Sequence, residues 1–164
     1  MNHFHVSGNL ENTLAEISAR LNDDAVYSDS YLLATVGYAP GSFSHYPDYS
    51  GDVPGRWIHA LVMLEKCGIP QPRLRPMVRR ILDCQRPDGG FHRPEQSIET
   101  VDRAAMYGNG WLLQGLCDFV EYTGSPELPD PLRRFGEYYL EKAKYWFNDT
   151  EKNRYEIGRA SCRE

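Results

Sequence analysis

Residues 106–124, MYGNGWLLQGLCDFVEYTG, constrain the fold of this chain more than any other stretch. The Gly108-Asn109-Gly110 run predicts a turn at its start. Beyond it, Trp111, Leu112, Leu113, Leu116, Cys117, Phe119 and Val120 place apolar groups on almost every face of a helix. Gly124 stands where a left-handed C-cap is expected. A helix apolar nearly all round has to be surrounded by protein, so the rest of the chain must supply more than one packing layer.

An earlier stretch has the same character. Residues 55–66 carry Trp57, Ile58, Ala60, Leu61, Val62, Met63 and Leu64, and stop at Gly68 with Pro70 and Pro72 behind. Each of these helices is followed by a short Gly/Pro turn and then by an amphipathic helix. In residues 74–85, Leu74, Met77, Val78, Ile81 and Leu82 form one stripe, with Arg73, Arg75, Arg79, Arg80 and Asp83 pointing elsewhere as a solvated face. In residues 131–147 the stripe is Leu132, Phe135, Tyr139, Ala143 and Trp146. Residues 57–82 and 111–140 therefore read as two copies of one hairpin, an inner helix and an outer helix. Two concentric layers of this kind predict an all-α fold, part of an (α/α)6 toroid built of helical hairpins. A four-helix bundle, where each helix carries a single stripe, fits less well, and an open α-solenoid is the rival.

Ahead of the hairpins, Leu10, Leu14, Ile17 and Leu21 predict a helix over residues 12–22, with Asn12 as its N-cap. A short helix over residues 28–36 follows. The connections after the inner helices are short. Those leading into them, residues 37–54 and 87–106, are long, and hairpin geometry gathers both on one rim. Long loops held at one end of a rigid scaffold commonly carry function.

These loops hold His45, Tyr46, Asp48, Tyr49, Asp52, Arg56, Asp88, Phe91, His92, Glu95, Glu99, Asp102, Arg103, Tyr107 and Asn109. Aromatic faces stack on sugar rings, and carboxylates bind hydroxyls or transfer protons, so this mixture suits a carbohydrate site. Aromatic content of 12%, with eleven Tyr and three Trp, agrees with such a cleft and equally with a Tyr-rich core. Asp102 is the candidate acid/base, with a helix-dipole charge as its alternative. Asp52, Arg56, Trp57, His92, Tyr107, Asn109 and Trp111 are the candidate substrate-binding residues. For Asp52 the competing role is an N-cap. For Trp57 and Trp111 it is packing between layers, and for His92 an exposed loop position. His45 is a further cleft candidate. His59 reads as a hydrogen-bonded core residue, and Asp88-Gly89-Gly90 as a turn.

The net charge of −5 gives no reason to expect nucleic acid or an anionic membrane as partner. No apolar run approaches a membrane span, and no signal peptide is visible, which predicts a cytoplasmic protein. Cys67, Cys84, Cys117 and Cys162 have no metal or disulfide spacing; the first three are expected to be buried small hydrophobes. Residues 157–164, IGRASCRE, resemble translated sequencing-adapter read-through. They are expected to be a non-native tail behind a partial toroid domain of residues 1–156.

The runs GDVPGRWIHALVMLEKCGI, ILDCQRPDGGFH and YGNGWLLQGLCDFVEYTGSPEL resemble the six-hairpin glycosidases. They come closest to the β-L-arabinofuranosidase-like enzymes, glycoside hydrolase family 127, over about residues 52–145. There an inner helix ending in T-G-[DS]-P-x-L precedes each outer helix, and a C-Q-x-P-D-G turn follows one. The resemblance implies a glycoside hydrolase acting on plant or microbial polysaccharide, its active site completed by hairpins beyond this sequence. It also implies that any cysteine-bound zinc and the catalytic Cys/Glu lie there, leaving this chain without a cofactor and inactive alone. The chain departs from that family at Trp111, where a His is expected. Gly108-Asn109-Gly110-Trp111 is also similar to the G-N-G-W of the unsaturated glucuronyl and rhamnogalacturonyl hydrolases, families 88 and 105, for which Asp102 is the nearest acid/base candidate. A non-catalytic helical-repeat module binding a glycan or peptide is the alternative from another class.

Overall fold

The computed structural model describes residues 4, 6–37, 50–94, 96–99 and 103–147, without the side chains of Thr35, Arg103, Trp146 and Phe147. Asp102, His45, Tyr46, Asp48, Tyr49, Glu95 and the tail from residue 157 lie outside the described residues. The described chain is all-α, with six helices in the order α1 (Asn9–Leu21), α2 (Asp29–Gly37), α3 (Asp52–Lys66), α4 (Leu74–Asp83), α5 (Arg103–Thr123) and α6 (Pro129–Phe147).

The helix ends follow local chemistry. Proline sits at the third position of α3, α4 and α6, as Pro54, Pro76 and Pro131. First-turn N–H groups have no acceptor inside the helix, so the missing donor costs little there. At the end of α3, Gly68 takes φ 81°. Its N–H bonds Glu65 O at 2.9 Å and the Ile69 N–H bonds Leu64 O at 3.0 Å, a Schellman closure. Gly124 closes α5 with φ 63°, as its position predicted.

Three boundaries differ from the sequence reading. Helix α1 begins at Asn9 with Gly8 as N-cap, so Asn12 lies inside it. Helix α3 is capped by Gly51, and Asp52 is its first helical residue rather than the cap. Helix α5 begins at Arg103, which makes Gly108-Asn109-Gly110 helix interior instead of a turn. Each helical glycine costs about 1 kcal/mol relative to Ala. Tertiary contacts offset that cost: the Asn109 side chain donates to Ser50 O at 3.0 Å and Phe91 O at 3.1 Å.

Helix α3 is central, touching α1, α2, α4 and α5, while α6 packs on α5. Helices α3 and α5 run parallel. Gly51 faces Leu112, Gly55 faces Trp111 and Gly115, and His59 meets Asp118, so position rises along both together. Each is followed by a second helix, α4 and α6, and α6 runs back along α5, bringing Tyr139 to Met106. The core between them includes Trp57, Ile58, Leu61, Leu74, Met77, Ile81, Leu112, Leu116 and Phe135, none more than 2% exposed.

Outlying segments are tied down by polar groups. Buried Gln71 donates to Ser18 Oγ at 2.9 Å and accepts from Asn22 Nδ2 at 2.7 Å. Arg73, read from sequence as part of a solvated face, instead donates to Asn22 O, Tyr27 O and Asp29, and its guanidinium lies over the Trp57 ring. The α4–α5 connection lies along α6. There Phe91 meets Phe135 edge-on at 4.8 Å, and buried Lys142 donates to Ser97 O and Ile98 O. The turn at Asp88-Gly89-Gly90 forms as expected, with Gly89 at φ 91°. Gly90 is small for a different reason: a Cβ there would come within 2.6 Å of the Tyr138 ring.

The two inner helices are less uniformly buried than their composition suggests. Arg56, Met63, Tyr107, Trp111, Gln114 and Cys117 are exposed. Cys117 is therefore not the buried hydrophobe expected, and Cys67 and Cys84 are half-buried. No helix among the described residues is long and apolar enough to cross a membrane.

Candidate functional site

The exposed residues of α3 and α5 are not scattered. Asp52, Arg56, His59 and Met63 follow helical spacing along α3, and Tyr107, Trp111 and Gln114 do so along α5, with buried Asp118 one turn beyond. Because the two helices are parallel and nearly in contact, both stripes lie on one common face. The close approach rests on Gly55 and Gly115. A Cβ on Gly55 would come within 2.3 Å of the Trp111 carbonyl, and one on Gly115 within 2.3 Å of Gly55 O.

Arg56 and Trp111 meet at the centre of this face. The guanidinium carbon lies 4.9 Å from the Trp111 ring centroid, in cation–π range. Asp52 pairs with Arg56 at 2.8 Å, one helical turn away. The Asp52 Oδ1 atom in that pair is buried and has no aligned hydrogen-bond donor, so it keeps acceptor capacity. A hollow lies on either side of the Arg56–Trp111 contact. One, of about 330 Å³, is lined by Tyr27, Tyr31, Asp52, Arg56 and Trp57. The other, of about 410 Å³, is lined by Met106, Tyr107, Trp111, Gln114 and Tyr139. Burial pushes the Tyr139 phenol above its ordinary pKa, so it stays protonated and able to donate at neutral pH. A separate hollow of about 230 Å³ opens elsewhere, near the C-terminal end of α5, between the stems of Arg75 and Arg79 and the rings and methyls of Phe119, Val78 and Leu128. It shares no residue with the common face.

One turn further along, His59 Nδ1 lies 2.6 Å from Asp118 Oδ2. The other carboxylate oxygen of Asp118 accepts from Gln114 Nε2 at 3.0 Å. The Asp118 side chain is 12% exposed and that of His59 is 40% exposed. His59 is hydrogen-bonded, as its place on an inner helix suggested, yet it stands at the surface rather than in the core. Neighbouring Cys117 has its thiol pKa raised, first by burial and then by the Asp118 carboxylate.

Of the candidates from sequence, Asp52, Arg56, Tyr107 and Trp111 come together. Three others take structural positions. Trp57 is 2% exposed, and its indole N–H donates to Leu21 O at 2.8 Å, so it packs between helices beneath the first hollow instead of offering a face. Asn109 is 2% exposed, with its side-chain amide given to two backbone carbonyls. His92 is buried rather than displayed on a loop. Its ring stacks on Tyr138 at 5.3 Å, with Nε2 at 2.8 Å from Asp88 Oδ2 and Nδ1 at 2.8 Å from Arg93 O.

Sequence reasoning missed Gln114 and Asp118 and undervalued His59. The repeat offset of Trp57 and Trp111 gave no signal for this pair, because the packed helices bring Gly55 to Gly115 and His59 to Asp118, a different register. Among the described residues no cluster of three or more His, Cys, Asp or Glu side chains could hold a metal ion. Comparisons with protein-family models, with curated proteins and with solved structures find no match to this chain.

Proposed function

We propose that this chain belongs to a glycoside hydrolase of the α/α-barrel type, with α3–α4 and α5–α6 as neighbouring hairpins of a toroid. Its carbohydrate substrate lies across the common face of α3 and α5. The observation that carries this reading is the Arg56–Trp111 contact set between two hollows. An indole 37% exposed on a rigid helix provides an apolar platform of sugar-ring size. Around it stand the groups a polyhydroxylated ring needs: the Asp52 carboxylate, the Arg56 guanidinium, the Tyr107 hydroxyl and the Gln114 amide. Parallel α3 and α5, each followed in the chain by a second helix, support the toroid reading. In that arrangement the exposed inner face turns toward the barrel axis. The resemblance to β-L-arabinofuranosidase-like enzymes makes an arabinose-containing polysaccharide the preferred substrate.

A second reading rests on a specific feature of the same face. Both of its carboxylates are already engaged, Asp52 by Arg56 and Asp118 by His59 and Gln114. A face with its charges paired suits recognition as well as catalysis, so a non-catalytic glycan-binding scaffold is the alternative. Titrating the 164-residue chain with arabino-oligosaccharides while following tryptophan fluorescence tests the shared element. Saturable quenching that disappears in Trp111→Ala is expected, and its absence overturns both readings. Release of aryl alcohol from aryl L-arabinofuranosides then separates the hydrolase from the scaffold.

A further inference from the structure

The group on the common face with the most specific geometry is His59, and nothing in the glycosidase resemblance assigns it a role. An ionised carboxylate only accepts hydrogen bonds. With Asp118 Oδ2 at 2.6 Å, the proton of a neutral His59 ring therefore sits on Nδ1. The Nε2 lone pair is left as an acceptor with no partner among the described residues. Asp118 is itself held: Gln114, one turn before it on α5, donates to its second oxygen at 3.0 Å. A carboxylate fixed on both oxygens holds the imidazole plane, as carboxylates do for histidines that must present one nitrogen. The pair also crosses from one helix to the other, so the rigid α3–α5 contact sets its position. His59 follows Arg56 by three residues, and Gln114 follows Trp111 by three. Neighbours at that spacing stand about 5–6 Å apart between Cβ atoms, so the His59–Asp118 pair lies one step along the face from the Arg56–Trp111 contact.

Charge decides what kind of ring fits. Asp52 and Arg56 form an ion pair and cancel. Asp118 is the other carboxylate of the face, held by His59 and Gln114. The guanidinium of Arg56 is committed to Asp52 on one side and to the Trp111 ring on the other. A carboxylated sugar would come against the Asp118 carboxylate and would have to displace Asp52 from Arg56 to gain a counter-charge.

We propose that Asp118 positions His59 so that Nε2 accepts a hydrogen bond from a hydroxyl of a ring stacked on Trp111, and that this face takes uncharged saccharides in preference to uronates. The proposal rests on the carbohydrate reading above and adds to it a named acceptor and a charge selection. Asp118 is a positioning residue, acting through His59.

The test is nuclear magnetic resonance on the 164-residue chain labelled with nitrogen-15, titrated in parallel with a neutral arabino-oligosaccharide and with a galacturonate oligosaccharide. Before ligand is added, the imidazole nitrogens of His59 are expected to show the proton on Nδ1. Asp118→Asn is expected to shift that balance toward Nε2–H, a signature that loss of packing alone does not give. The neutral saccharide is expected to move the Trp111 indole signal and His59 Nε2 together. His59→Ala is expected to weaken binding about three- to tenfold, the range of one hydrogen bond. Binding that moves Trp111 but leaves His59 unchanged overturns this inference and spares the carbohydrate reading. Tighter binding of the galacturonate arm overturns the charge selection. No response of Trp111 to either saccharide overturns the carbohydrate reading together with everything built on it.

Discussion

Gly115 of α5 lies against the backbone of Gly55 of α3 so closely that a Cβ on Gly115 would stand 2.3 Å from Gly55 O. This contact sets the separation of the two parallel helices, and through it the positions of Arg56 against Trp111 and of His59 against Asp118. Both obstacles are backbone atoms, which cannot swing aside as a flexible side chain can. Gly55→Ala and Gly115→Ala are each expected to destabilise the fold by about 1–3 kcal/mol, the usual cost of overpacking. Urea unfolding measures this. An unchanged midpoint in both variants would falsify the close helix contact.

The two tryptophans that begin the repeated motif have different work, and substitution separates them. Trp57→Phe removes the donor to Leu21 O and part of a fully buried ring. A loss of about 1–3 kcal/mol is expected from these terms. Trp111→Ala removes a partly exposed ring and is expected to change stability less than Trp57→Phe while abolishing saccharide-induced quenching. Thermal melting and fluorescence titration of the two variants check the division. Equal effects of both substitutions on both readouts would contradict it.

Asp29 gives the fold an acid-sensitive contact. The hydrogen bond from Arg73 lowers its carboxyl pKa, burial opposes this, and the charges of Arg80 and Arg73 lower it further. A carboxylate whose folded pKa is depressed contributes stability above its unfolded value. That contribution is lost as pH falls through the folded value. The unfolded value is about 3.9, so this contact is expected to be intact near neutrality and to weaken only below roughly pH 4. Asp29→Asn is expected to lower stability near neutrality and to flatten its acid dependence. Urea midpoints measured across the acid range decide the matter.

Cys117 is exposed, yet its thiol pKa is raised, first by burial of the sulfur and second by the Asp118 carboxylate. The thiolate is the nucleophile, so alkylation by iodoacetamide at neutral pH is expected to be slower than for an unperturbed thiol. Asp118→Asn removes the second cause and is expected to accelerate it. Peptide mapping by mass spectrometry reads the rate at this one position. Faster modification of the unaltered protein than of Asp118→Asn would reverse the sign and refute the account.

Much of the fold was legible in advance because it is governed by short-range rules. Gly68 and Gly124 close helices through positive φ, and Leu74, Met77, Val78 and Ile81 recur at the spacing that buries one side of α4. Each of these is decided within a few residues of chain.

What was not legible depended on residues distant in the chain. Gly108-Asn109-Gly110 has the composition of a turn, but Ser50 and Phe91 supply the carbonyls that hold Asn109 within a helix. Trp57 and Trp111 occupy matching positions in the repeat, yet Leu21 and Arg73 cover the first while the second stays partly open. His59 and Asp118 carry no mutual signal until Gly55 and Gly115 bring their helices together. The sequence by itself determined the helices, their order and the glycines that close α3 and α5. Tertiary structure decided which residues face one another and which are covered, because burial and pairing are settled by the surfaces that meet, and periodicity records only that a surface exists.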